Sequence, residues 1–181
     1  MEMPKKVELG CGEKKPEGYL GVDIVETNQT DKVIDLDQPN WDLPSNHFTH
    51  IRAIDLFEHL ENPMTFIEEV HRIAENGAVI EVRAPHRSSQ NWTDPTHERL
   101  VGVDTMDNYF TADGTYGFYS DADFDVIEKK LIFQQRLVLP WNYIIQPVMN
   151  KSERGMNFFE VTFLSRLFPA QHMYFRLKAV K

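Results

Sequence analysis

Cysteine is almost missing from this chain. Cys11 is the only one in 181 residues, so an intrachain disulfide is excluded and a reducing compartment fits. Long apolar runs are missing as well. None approaches the roughly 20 residues that a membrane-spanning helix needs. The opening, Met1 to Lys6, carries charge and Pro4 where a secretory signal would carry an apolar stretch. The expectation is a cytoplasmic protein with no membrane association. Positive charge is in deficit: 19 Lys and Arg face 28 Asp and Glu, a net −9, which makes nucleic acid an unfavoured partner. Repeats and low-complexity tracts are also lacking. The remaining composition is that of an ordinary globular chain, and its length suits a single domain over 1–181.

What is present is concentrated first in Lys6 to Asp23, KVELGCGEKKPEGYLGVD. Apolar Val7 and Leu9 run into Gly10-Cys11-Gly12; Tyr19, Leu20 and Val22 run into Asp23. This reads as strand, glycine turn, strand, acid. Glycine permits a tight turn and close backbone approach to a ligand, and a carboxylate at the next strand tip can accept from a ribose diol. A dinucleotide fingerprint needs a third glycine and an acid about 20 residues on. Here Lys15 occupies the third position and Asp23 follows Gly12 by eleven residues, which argues against a dehydrogenase.

Glu8-Leu9-Gly10-Cys11-Gly12, with Gly18 to Asp23 behind it, resembles motif I of the class I S-adenosylmethionine (SAM)-dependent methyltransferases, in a compact, methyltransferase type 11-like branch. Ala53-Ile54-Asp55-Leu56-Phe57-Glu58-His59-Leu60 resembles motif IV of the same superfamily. The resemblance implies an α/β fold: a Rossmann-like sheet, mostly parallel, with an antiparallel last strand. It implies SAM as cofactor, held by Glu8, Gly10, Cys11, Gly12, Asp23, Ile24, Asp35, Leu36, Asp55 and Leu56. In that set Asp23 takes the ribose, Asp35 and the Leu36 backbone take adenine, and Asp55 and Leu56 flank the sulfonium. Cys11 is read as a small filler, with a nucleophilic role as the lesser alternative. Asp35 and Asp37 also fit a plain strand end, since Asp favours turns.

In chain order the pattern predicts strands at 5–9, at 19–22, at 31–35, at 49–55 and at 78–84. The nine residues of 10–18 are too few for an ordinary crossover, so the first helix is expected to be shortened or absent. A helix is expected over 63–74, with Asn62 as N-cap, Pro63 at its first position and a Glu68–Arg72 surface pair. Asn76-Gly77 is expected to end it. Further on, 124–128 reads as a short helix or edge turn, 130–139 as a strand, 157–168 as a helix and 172–180 as the last strand. The apolar 141–150 stretch suggests a lid or a contact surface, and so a possible homodimer.

Residues 86–117 are too long for a simple connection and are expected to form the acceptor site. Asp94-Pro95-Thr96-His97-Glu98-Arg99 resembles a segment of uncharacterised members of the same branch. Trp92, Asp94, Arg99 and Tyr109 are the candidate substrate-binding residues; His97, His86 and His59 are the candidate bases. For His86, Asp94 and His97 three roles stay open: acid/base chemistry, a hydrogen-bond cluster that fixes the loop, or a metal site. Their spacing matches no metal signature, so no metal is expected. His59 equally fits packing at the start of the following helix. The expected activity is methyl transfer to an unidentified acceptor, with a small molecule favoured. The alternative is a catalytically silent module that binds SAM or S-adenosylhomocysteine.

Overall fold

In the computed structural model, which describes residues 3–181, seven strands share one sheet. They are β1 (Lys6–Leu9), β2 (Leu20–Asp23), β3 (Lys32–Val33), β4 (Phe48–Ile54), β5 (Ala74–Pro85), β6 (Asp123–Ile132) and β7 (His172–Val180). Their order is β3-β2-β1-β4-β5-β7-β6. The first five run parallel and β7 runs antiparallel to both of its neighbours, as the resemblance implies. Five α-helices lie among the described residues: α1 (Pro63–Ile73), α2 (Thr105–Phe110), α3 (Asn142–Met149), α4 (Glu153–Val161) and α5 (Leu164–Leu167). None of them is long and apolar enough to cross a membrane.

Side chains alternate between the faces of a strand, and here the two faces differ in kind. Val7, Leu9, Ile51, Ala53, Ile80 and Val82 are buried in one apolar cluster with Phe66, Ile67, Val70 and Ile73 of α1. The opposite face carries a polar ladder. Glu8, Arg52, Glu81 and Arg176 stand in register across β1, β4, β5 and β7. Arg52 pairs with Glu8 at 2.8 Å and with Glu81 at 3.4 Å, and Tyr19 bonds His50 at 2.7 Å. The reason lies in the connections. Neither 10–19 nor 24–31 contains a helix, so the layer that crossovers after β1 and β2 would supply is missing. The expectation of an absent first helix holds.

Glu8 shows what that ladder costs. Burial, opposed by Arg52, pushes its carboxyl up from an ordinary 4.5 to about 7. A carboxyl raised in the folded state binds more protons there than in the unfolded chain, so its contribution to stability falls as pH rises from 4.5 to 7. Replacing Glu8 by Gln should therefore gain stability relative to the wild type across that window, by about 1–3 kcal/mol. Urea unfolding of both proteins at pH 4.5 and pH 7.5 checks this; a constant difference would contradict it.

Several boundaries differ from the sequence pattern. The expected third strand shrinks to Lys32–Val33, because Asp35 turns the chain by accepting from the Asp37 N–H at 3.0 Å. The 63–74 helix ends at Ile73, and Asn76-Gly77 lies inside β5 at a register shift, with Gly77 at φ +81°. Asn62 does not cap α1 with its side chain; its own N–H donates to Asp37 Oδ1 at 2.8 Å. Arg72 pairs with buried Glu69 at 2.7 Å and not with Glu68, because Glu69 also receives the Trp41 N–H. Residues 124–128 belong to β6, with a bulge between Val126 and Glu128. The 130–139 strand stops at Ile132. The 157–168 helix is broken at Thr162 into α4 and α5. The 141–150 stretch is largely α3, and Leu137, Val138, Ile144 and Val148 stand exposed around it.

Candidate active site

The tips of β2, β1 and β4 lie side by side and carry the residues expected to hold a cofactor. At the end of β1 the chain turns through Gly10 (φ +69°) and Gly12 (φ +51°). The N–H groups of Gly10 and Cys11 both donate to Val22 O, at 2.8 and 3.1 Å, which lashes the turn to β2. Asp23 completes the join: its Oδ2 accepts from the Gly12 N–H at 2.8 Å and its Oδ1 from the Val25 N–H at 3.0 Å. A carboxylate has about four acceptor sites, so Asp23 can hold the turn and still accept from a diol. Beside it Ile24 is exposed, an apolar side chain at a strand tip.

From the other side, Leu56 covers Gly10. A Cβ on Gly10 would lie 2.9 Å from Leu56 Cδ1, in a backbone region that side chains rarely adopt. Gly10→Ala should cost about 1–3 kcal/mol through strain and overpacking. The pair Gly10→Ala/Leu56→Ala should cost less than the sum of the single changes, since Leu56→Ala removes Cδ1 and Cγ from the clash and leaves only Cβ, 3.1 Å away. A thermal-denaturation double-mutant cycle checks this, and simple additivity would contradict it.

Asp55 sits at the tip of β4 with φ +56°. Its carboxylate takes both the Nε and an Nη of Arg83, and His172 stands 3.6 Å away. Cys11 is buried against Thr30 and Gln29, and burial raises its thiol above the ordinary value. Two further expected cofactor residues carry contacts of their own. Glu8 lies within β1 on the polar ladder, committed to Arg52, because it occupies the strand position that faces away from the apolar core. Asp35 lies beyond β3, where its carboxylate makes a local turn; the Leu36 side chain is in the core.

The 86–117 segment folds back onto the 3-10 turn Phe57–His59. Glu98 N–H donates to Glu58 O at 2.8 Å. Arg99 donates to Phe57 O at 3.2 Å and also to Leu60 O. Arg99 is thus a clamp on the motif IV turn through Nη1 alone, which leaves its Nη2 and Nε donors uncommitted. This brings His97 against His59, with ring centroids 4.7 Å apart, and both against Glu58. Burial pushes the Glu58 carboxyl up to about 7. Asp94 accepts at Oδ1 from Thr96 N–H and Oγ1–H, at 2.9 and 2.7 Å, and these bonds hold its carboxyl below the ordinary value. Trp92 is exposed on the turn Asn91–Thr93, and Tyr109 on α2 stacks on Tyr116 with centroids 4.9 Å apart.

His86 is the clearest departure. It has no solvent exposure. Its Nδ1 accepts from the Ser88 N–H at 3.1 Å, so the ring proton lies on Nε2, which donates to Glu160 Oε1 at 3.1 Å. Glu160 also accepts from the Val103 N–H at 3.1 Å. His86 ties the end of β5 to α4 and has no free nitrogen with which to serve as a base. Glu160 and Glu58 were not singled out in the sequence. Glu58 sits beside His59 in the motif IV run and was available there; Glu160, distant in the chain, gave no signal.

Two clefts flank these tips. One of about 600 Å³ is lined by Glu13, Val25, Glu26, Thr27 and Asn28 on the β2 side of the glycine turn. Another of about 330 Å³ lies between residues 89–91 and the segment around Trp141 and Pro169.

No family model matches the sequence, and no curated protein matches it. Solved structures do match. A SAM-dependent methyltransferase from Archaeoglobus fulgidus is 18% identical, with a TM-score of 0.56 over 97% of this chain and 86% of that one. The chain has the class I methyltransferase fold. An S-adenosylmethionine-dependent methyltransferase from Mesorhizobium loti is similar at 13% identity, with a TM-score of 0.58 over 97% of this chain and 91% of that one. The [4+2]-cyclase SpnF is similar at 11% identity, with a TM-score of 0.56 over 97% and 75%. A class I methyltransferase fold can therefore carry chemistry other than methyl transfer, and function has to be argued from the site.

Proposed function

We propose that this protein binds SAM at the tips of β1, β2 and β4 and transfers its methyl group to a small-molecule acceptor. The observation that carries the reading is the Asp23 carboxylate, locked beside the Gly10–Gly12 turn with acceptor sites to spare for a ribose diol. Ile24 offers an apolar surface for adenine next to it, and Asp55 and Leu56 stand where the sulfonium end would come. SAM supplies a methyl group that is already activated. The task of the chain is to align donor and acceptor, and positioning of that kind is worth about 7–11 kcal/mol of barrier. Trp92 and Tyr109 are the residues we assign to the acceptor side. A hydroxyl or amine acceptor must also lose a proton. With His86 sealed in the core, His59 and His97 are the groups left to assist.

One observation favours a second reading, a module that binds the cofactor without turnover: His86, one of the three candidate bases, is sealed in the core. The test is to incubate the protein with methyl-labelled SAM and a fractionated small-molecule pool and to follow label transfer by mass spectrometry. Label in a pool component that depends on Trp92 supports the transferase. Cofactor binding without transfer across the whole pool supports the silent module.

A further inference from the structure

Beside the cofactor residues lies a cluster whose arrangement goes beyond assisting a proton transfer. Glu58, His59 and His97 each place one possible ligand atom within 4.8 Å of the other two. Glu58 is 2% exposed, yet its Oε2 is buried with no hydrogen-bond partner. The His97 side chain is 9% exposed, and its Nδ1 is likewise buried and unpartnered. Orphaned buried polar atoms are uncommon and cost about 1–3 kcal/mol each. Two of them within one cluster of three ligand-bearing side chains ask for a third party.

The surroundings set the protons. Thr96 Oγ1 donates to Asp94 Oδ1 at 2.7 Å, so toward His59 it can only accept. His59 Nδ1 stands 3.0 Å from that oxygen and 3.3 Å from Thr96 O, both acceptors, so Nδ1 carries the proton and Nε2 keeps its lone pair. Asp94 Oδ2 faces His97 Nε2 at 3.7 Å, which favours the proton there and leaves Nδ1 the lone pair. Each histidine is thus turned by an outer oxygen so that its other nitrogen is free, the arrangement typical of metal-bound imidazoles. Asp94 steers both.

We propose that Glu58, His59 and His97 form a site for a divalent first-row transition ion. Two imidazoles and one carboxylate suit Zn²⁺, Co²⁺ and their neighbours better than Mg²⁺ or Ca²⁺, which prefer all-oxygen shells. Three protein ligands leave positions open, and exposed His59 puts them on the solvent side, where water or an acceptor oxygen can complete the shell. The Asp94-Pro95-Thr96-His97 run then has a purpose as a unit: His97 binds, while Asp94 and Thr96 orient.

Untagged protein, stripped with chelator and titrated with Zn²⁺ by calorimetry and with Co²⁺ by visible absorption, tests this without SAM, so the outcome does not depend on the methyltransferase reading. The expected result is one ion per chain. His59→Ala, at an exposed position that folding tolerates, and His97→Ala should each weaken binding by more than about 100-fold, and Asp94→Asn by about 10–100-fold. Circular dichroism of each variant should match the wild type. No uptake by folded wild type, or uptake unchanged in His59→Ala, would overturn the proposal.

Discussion

Replacing Asp23 by Ala should lower affinity for S-adenosylhomocysteine by about 100–1000-fold, the loss expected from two hydrogen bonds to a charged acceptor. The effect has two origins that a second variant separates. Asp23 offers acceptor sites to a ribose diol, and it also fixes the glycine turn through Gly12 N–H and Val25 N–H. Asp23→Asn keeps one oxygen and the side-chain shape. It should keep one of the two backbone bonds that hold the turn and lose less affinity, about tenfold. If Asp23→Ala bound as tightly as the wild type, the ribose anchor would lie elsewhere.

Glu160→Ala should destabilise the protein by about 3–5 kcal/mol, among the largest effects of any single change. Glu160 is the common acceptor for fully buried His86 and for the Val103 N–H. Removing it leaves both donors buried without partners and cuts the tie between β5 and α4. Glu160→Gln keeps an acceptor and should cost about 1–2 kcal/mol. The pH dependence has a definite sign. Burial works to raise the Glu160 carboxyl, but the bonds from His86 and Val103 outweigh it and hold the carboxyl below its ordinary 4.5. A depressed carboxyl contributes stability that is present above pH 4.5 and lost as pH falls through the folded value. The wild type should lose stability on acidification more steeply than Glu160→Gln. Urea midpoints of the three proteins from pH 7 down to pH 3 check both points.

The parts of this fold that were legible in the sequence are those set by local pattern. Val7 and Leu9, Ile51 and Ala53, and Ile80 and Val82 alternate in a way that only a half-buried strand satisfies. The shortness of 10–18 foretold the missing crossover helix. The adjacency of Gly10, Gly12, Asp23 and Leu56 followed from strand tips lying at one edge of a parallel sheet. What the sequence did not show is which polar residues find each other at long range. Asp94 and His97 were visible as a pair, but Glu58 was hidden in a run read for the cofactor and for His59. His86 looked like a base because the segment around it is long and polar. Its burial is imposed by Glu160 and Ser88, which no local spacing could reveal. The break at Thr162 and the extension of β5 past Gly77 are tertiary choices that outweigh propensity.

The central claim is that the tips of β1, β2 and β4 hold SAM, and calorimetric titration of S-adenosylhomocysteine into folded wild-type protein tests it most directly. One-site binding in the micromolar range is the predicted result. A folded protein that takes up none at millimolar ligand would contradict the account, and would mean that Leu56 has closed the site over Gly10.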